Sequence, residues 1–326
     1  MDNKHNVRPR IVISKCIEHG YCRYDGSQTK SPFVKKLDEF LDIVTICPEV
    51  EIGLPIPREA VRVVKVDEEY KLLYSTTGTD VSDKMRTFAE GFADEYEEED
   101  IHGFILKSRS PSCGIKDVKV YKTIGKAPSL AEKTNGFFGH SILERFPDVA
   151  IEDEGRLRNY NIREHFLTRI YTMARYDEVI KEQTMRRLIE FHSNNKYLLM
   201  AYNQKYQKEL GKIVANHEKL PTDNVINEYK NILKLALAKP LRRGTNINML
   251  MHLFGYFKKV LSKDEKAYFL DILEQYSLKK VPFSVPISVI YVWVIRFDEE
   301  YLKNQEIFNP YPIEILDVTD SGKGID

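Results

Sequence analysis

The feature that most restricts the fold is a change of hydrophobic period part-way along the chain. Up to about residue 150, short apolar runs alternate with amphipathic helical stretches. "RIVISKC", "VTICPE", "EYKLLYS" and "GFILK" read as strands, apolar and bounded by turn or polar residues. Between them, "FVKKLDEFLDI" places Phe33, Leu37, Phe40 and Leu41 on one helix face. "TDVSDKMRTFAEGFADEYEEED" does the same with Met85, Phe88 and Phe92, and has Asp and Ser available as caps. Such alternation predicts a mostly parallel sheet flanked by helices. Beyond "ERFPDVAIEDEGRLRNYN" the period is helical: "REHFLTRIYTMARY", "MRRLIEFHSNNKYLLMAYNQKYQKELGKIVANH", "INEYKNILKLALAKPL" and "NMLMHLFGYFKKVL". The expected fold class is an α/β N-terminal domain with a mostly parallel sheet, followed by an all-α helical domain. The expected boundaries are 1–158, a connecting helical segment at 159–182, and 183–326.

The length of 326 residues suits two domains. Hydrophobic residues at 42% and charged residues at 30% predict packed cores, not disorder. The polar start, Met1–Arg10, does not read as a signal peptide. The most apolar stretch, "VPFSVPISVIYVWVI", is too short and too proline-interrupted to span a membrane. A cytoplasmic chain without membrane attachment or an evident obligate protein partner is expected. The polar terminal "DVTDSGKGID" is expected to fray.

Four cysteines are few for such a chain, and they point to metal ligation, catalysis or core packing before disulfides. Three share one context. Cys16 ends "VISKC", Cys47 ends "VTIC", and Cys113 follows "FILK" after a short turn. In an open parallel sheet, ligands bind at the carboxyl ends of the strands. Cysteines far apart in sequence can therefore meet at one rim. No CxxC pair is present, so neither a zinc ribbon nor a bacterial ferredoxin spacing matches simply. Three thiolates would suit a soft or borderline metal with one position left open; unrelated core cysteines are the alternative. Cys22, in "CIEHGYCRYDG", is either a small buried hydrophobe or a fourth ligand.

Two polar neighbours bear on the same rim. Glu49 follows Cys47 beyond Pro48, and a desolvated carboxylate there could activate water; its plainer role is a helix-start carboxylate. Ser110 precedes Cys113 by three residues and could orient water or a substrate carbonyl, or simply close the turn.

The helical half carries a charge anomaly. From Tyr229 to Lys263 there are eight basic residues and no acidic one. Lys239, Arg242, Arg243, Lys258 and Lys259 are the candidates for contacting a phosphate backbone; a solvated helix face is the ordinary reading of such charges. His165, His192 and His252 lie in helical patterns and read as core or surface histidines.

"SKCIEHGYCRYDG", "CPEVEIGLPIPRE" and "LKSRSPSCG" resemble, in order, the motifs of the thiouracil desulfidase family. "FHSNNKYLLMAYNQKYQKELGKIVA" resembles the helical domain often fused to it. The resemblance covers about residues 8–155 and 185–305 and implies the two-domain form, which removes sulfur from 4-thiouridine in transfer RNA. It further implies a 4Fe-4S cluster held by Cys16, Cys47 and Cys113, with one iron free of protein ligands, and roles in catalysis for Glu49 and Ser110. "CIEHG" and "EIGLP" depart from the single-domain members. Two other functions are open: a metal-containing nucleic-acid-binding module without catalysis, and a desulfidase of free thiouracil.

Overall fold

The structure is a computed structural model and describes residues 7–97 and 99–316. Contacts divide it into two compact units. The described residues of Met1–Ala174 and Pro312–Asp326 form one, and Arg175–Tyr311 the other. The expected fraying of "DVTDSGKGID" concerns residues 317–326, outside the described residues.

The first unit is built on a four-stranded parallel sheet, ordered β2 (Asp42–Ile46), β1 (Arg10–Ser14), β5 (Gly103–Leu106), β8 (Ala150–Asp153). Ile11, Val12 and Ile13 of β1 are wholly buried. A central parallel strand covered on both faces needs such a continuous apolar run. α1 (Pro32–Leu37) leads from β1 to β2; Ser31 caps it, and Pro32 at its first position fixes its entry angle. α2 (Pro48–Glu51) follows β2 directly, with Cys47 as its capping residue.

A second, mixed sheet has the order β4 (Glu69–Tyr74), β3 (Val61–Val66), β6 (Val118–Tyr121), β7 (Ser129–Thr134). "EYKLLYS" therefore belongs to this second layer and pairs antiparallel with β3, not with the parallel sheet. α3 (Ser82–Glu97) buries Met85, Ala89, Phe92 and Ala93 along one face, as a period near 3.6 requires. α4 (Phe137–Arg145) packs against it, with Phe138 set edge-on to Phe92 at 5.2 Å between ring centroids.

Helices make up the rest: α5 (Tyr160–Glu182), α6 (Met185–Tyr202), α7 (Gln204–Ala215), α8 (Thr222–Leu237), α9 (Arg243–Phe257), α10 (Lys263–Ser277) and α11 (Ser284–Arg296). The single long helix suggested by "MRRLIEFHSNNKYLLMAYNQKYQKELGKIVANH" is interrupted at Asn203. Its backbone is extended and its side chain accepts the amides of Lys205 and Tyr206, so it ends α6 and caps α7 at once. Tyr176 stacks on Tyr229 and donates to the Ile226 carbonyl at 2.6 Å. Phe254, Phe269 and Trp293 pack together in α9, α10 and α11. Among the described residues, no helix is long and apolar enough to cross a membrane.

Candidate active site at the sheet rim

The parallel sheet delivers three cysteines to one edge because β2, β1 and β5 are neighbours that all run the same way. Cys16 lies two residues past β1, Cys47 immediately past β2, and Cys113 in the turn after β5. All four cysteines are buried and free.

Cys22 joins them. Its thiol hydrogen-bonds to those of Cys16 and Cys47, and its carbonyl lies 3.8 Å from the Cys47 sulfur. The bond to Cys16, followed by burial, pushes the Cys22 thiol up to about 11. The contact with Cys22, followed by burial, pushes Cys47 far above the usual thiol range. Burial first, and then the nearby Cys47, Glu49 and Cys22, does the same to Cys113, against a hydrogen bond with Ser14. The raised thiols of Cys22, Cys47 and Cys113 favour the protonated form; a bound metal cation inverts that balance and makes its ligands thiolates.

This donor set fits a thiophilic metal or an iron–sulfur centre. Among the described residues, no three His, Cys, Asp or Glu side chains are already arranged around a single ion. Binding of a metal by these cysteines displaces their protons.

Glu49 stands in the first turn of α2, two residues past Cys47. Both carboxylate oxygens are engaged. Oε1 accepts from the Ser112 hydroxyl at 2.8 Å, and Oε2 accepts from Arg58 Nε at 2.9 Å and also from Arg58 Nη2. The pair is deeply buried, with Arg58 2% and Glu49 13% exposed, which is tolerable for an ion pair only when its remaining donors and acceptors are satisfied. Arg58 meets that condition by also donating to the carbonyls of Pro55 and Cys22.

The turn from Lys107 to Gly114 is fixed along its whole length. Its Lys107 amide donates to the Ser14 hydroxyl at 2.9 Å, which ties β5 to the end of β1. Glu154, just beyond β8, pairs with the Lys107 ammonium and accepts from the Ser108 amide and hydroxyl. The Ser110 hydroxyl accepts the amides of Ser112 and Cys113 at 3.2 and 3.1 Å, which closes the turn around the cysteine. On the far side, the amides of Phe137 and Gly139 donate to the Pro111 and Ser112 carbonyls, and the Gly136 amide to the Gly114 carbonyl. A methyl group at Gly136 would sit 2.5 Å from the Ser112 carbonyl oxygen, and one at Gly139 2.6 Å from that of Gly114. Only glycine allows the start of α4 to reach the cysteine turn this closely.

The structure thus gathers Cys16, Cys47, Cys113, Glu49 and the Ser110 turn at one rim. Cys22, which the sequence leaves open as a core residue or a fourth ligand, stands with them, together with two residues the sequence reading did not mark, Ser112 and Arg58. Arg58 had a faint signal, as a lone cation in "GLPIPRE" nine positions past Glu49. In the second unit, Lys239, Arg242, Lys258 and Lys259 are exposed. Arg243 is engaged in packing: its guanidinium lies 4.7 Å over the Tyr276 ring and donates to the Tyr276 carbonyl. His165 and His192 are partly buried, and His252 is exposed.

Comparison with known proteins separates the same two parts. A family model described as 2-thiouracil desulfurase matches residues 11–154, the stretch holding every cysteine, Glu49 and Arg58. YbbK of Bacillus subtilis strain 168, an uncharacterized protein, is 31% identical over 109 residues, 32% of this chain and 72% of that one. The chain belongs to the 2-thiouracil desulfurase family. A second model, described only as a protein of unknown function (DUF1722), matches residues 196–312. YbgA of Escherichia coli strain K12, also uncharacterized, is 25% identical over 146 residues, 44% of this chain and 86% of that protein. A solved structure of the 4Fe-4S-dependent thiouracil desulfidase TudS is 26% identical, covers 46% of this chain and 93% of its own, and has a TM-score of 0.38.

Proposed function

We propose that this member of the desulfurase family removes sulfur from 4-thiouridine in transfer RNA, leaving uridine, in an iron–sulfur-dependent reaction without net electron transfer. One observation carries the reading: three parallel strands bring Cys16, Cys47, Cys113 and a buried, fully hydrogen-bonded Glu49 to one rim. Cys16, Cys47 and Cys113 would hold a 4Fe-4S cluster, which supplies a soft Lewis acid for the thiocarbonyl sulfur.

The rest is assigned to the chain's own side chains. Glu49 accepts a proton from the water that attacks C4 of the base at Oε1, which accepts only from Ser112 and so keeps a lone pair, while Oε2 is taken by two nitrogens of Arg58. Arg58 and Ser112 fix the plane of that carboxylate. Ser110 holds the turn that aims Cys113. Burial of the whole set excludes competing water and strengthens each contact.

A ribonucleic acid partner is supported by the helical unit. Lys239, Arg242, Lys258 and Lys259 are exposed within a segment lacking any carboxylate from Tyr229 to Lys263. Exchanging any one for Ala should reduce the salt slope of RNA binding by about one charge.

The Cys22 thiol against Cys16 and Cys47 favours a second reading, a closed four-thiolate zinc site in a non-catalytic binding module. Anaerobic purification separates the two. The proposal expects iron and acid-labile sulfide near four each per chain, and release of sulfide from thiolated transfer RNA. Colourless protein with stoichiometric zinc and no turnover would refute it. Faster turnover on free 4-thiouracil than on thiolated RNA would retain the chemistry and reassign the substrate.

A further inference from the structure

Glu49 is not fixed by its own helix. α2 is a single turn of four residues, and Cys47 makes no side-chain capping bond to it. What holds the carboxylate is the guanidinium of Arg58, from a loop nine residues on. Arg58 uses all three of its nitrogens. Nε donates to Glu49 Oε2, Nη1 to the Pro55 carbonyl at 3.2 Å, and Nη2 both to Glu49 Oε2 and to the Cys22 carbonyl at 3.0 Å. Its own amide donates to the Tyr24 carbonyl at 2.8 Å. The planar fork therefore ties the loop carrying Cys22 and Tyr24 to the carboxylate by rigid, directional bonds, which the ammonium of a lysine cannot reproduce.

We propose that Arg58 is the positioning residue for Glu49 in desulfuration, and that through the shared Nη2 contact it registers the carboxylate against the cysteine loop. This rests on the reading of Glu49 as the group that takes the proton from water. Ser112 completes the placement from the other side, at Oε1. Arg58 also neutralises a buried charge, since a buried carboxylate without its cation is the costly half of a broken pair.

The test uses the full chain purified with its metal, as wild type, Arg58→Lys, Arg58→Ala and Glu49→Gln, with transfer RNA carrying 4-thiouridine as the probe substrate. Iron and sulfide per chain, thermal unfolding, kcat and KM are measured together. Arg58→Lys should keep its metal content and lose about a hundred-fold in kcat, with KM within about threefold of wild type, as expected when a reacting group is displaced by about an ångström. Millimolar guanidinium, far below denaturing concentrations, should restore kcat in Arg58→Ala at least about tenfold and leave Glu49→Gln inactive, since the free ion can refill the vacated pocket.

Wild-type kcat in Arg58→Lys overturns the proposal. So does a loss confined to metal content and folding, with kcat per loaded site unchanged and no response to guanidinium; that pattern is purely structural. If Arg58→Ala does not fold, Arg58→Lys decides alone. Failure of the underlying reading looks different: Glu49→Gln would then turn over like wild type, or wild type would release no sulfide at all.

Discussion

Gly139→Ala sets two physical effects against each other and so tests the packing of the cysteine turn. Gly139 is the third residue of α4. In a helix, Ala replacing Gly is favourable by about 0.5–1 kcal/mol. At this position the new methyl group would lie 2.6 Å from the Gly114 carbonyl oxygen and 2.7 Å from that of Cys113. Relaxed C···O contacts begin near about 3.3 Å, so helix and turn must separate by roughly 0.6–0.7 Å. Both obstructing atoms are backbone, and no side-chain rotation relieves them. The separation stretches the Gly139-to-Ser112 and Phe137-to-Pro111 hydrogen bonds, each contributing about 0.5–1.5 kcal/mol, on top of about 1–3 kcal/mol for overpacking. The balance is a net loss of about 2 kcal/mol, or about 4–8 °C in Tm for a unit of this size.

Gly91→Ala is the matched control. Gly91 lies in the exposed interior of α3, and a methyl group there meets nothing within 4 Å. It should raise stability by about 0.5–1 kcal/mol. Scanning calorimetry on anaerobically prepared protein should therefore give shifts of opposite sign. Iron retention should fall in Gly139→Ala, because Cys113 moves with its turn, and should hold in Gly91→Ala. A Gly139→Ala protein that gains stability as Gly91→Ala does, at full iron content, would refute the close approach of α4 to the turn.

Cys16→Ser, Cys47→Ser and Cys113→Ser should each abolish iron binding, whereas Cys22→Ser should keep it; loss of iron in the Cys22 variant would make it a fourth ligand. Burial, and secondarily the positive charge of Lys196, lowers His192 from its ordinary 6.5 to about 4. The unfolded chain then takes up a proton that the native state refuses, so His192 costs stability as pH falls from 6.5 towards 4, at about 1.4 kcal/mol per pH unit. His165, lowered to about 3 mainly by burial, acts in the same direction; Tm should fall over this window, and His192→Gln should make the fall shallower by about one proton's worth. Ser262→Ala removes a reciprocal capping box in which Ser262 accepts the Glu265 amide and Glu265 accepts the Ser262 amide, and should cost about 1 kcal/mol in urea unfolding.

The strands that form the site were legible because central parallel strands are apolar on both faces and cannot disguise themselves. β1 and β5 are buried at nearly every position, and each runs directly into the turn residues at the rim. The second sheet was harder to see. The β3–β4 hairpin turns through Asp67 and Glu68, both with positive φ, where the readable signal would be Asn-Gly or Asp-Gly. β7 alternates between half-exposed and exposed residues and carries no buried position to announce it. The break at Asn203 falls inside an unbroken helical period, and only its side chain's bonds to the next two amides reveal it.

Within the site, the limit is of another kind. Ser110 and Ser112 are two residues apart in one turn, yet the first hydroxyl serves the turn's own amides and the second reaches Glu49 across 63 positions of sequence. Nothing local distinguishes them, because the difference is the direction each side chain takes after the turn has formed. Arg58 is silent for the same reason, with partners 9 and 36 residues away. A physical demand can still find it. If Glu49 is to be both buried and ionised beside four cysteines, its charge needs a cation with enough donors to satisfy the rest of its own surroundings. Arg58 is the first basic residue after Glu49 and the only arginine between Cys47 and Val61. Asking what a buried carboxylate must pair with recovers a residue that no motif or periodicity marks.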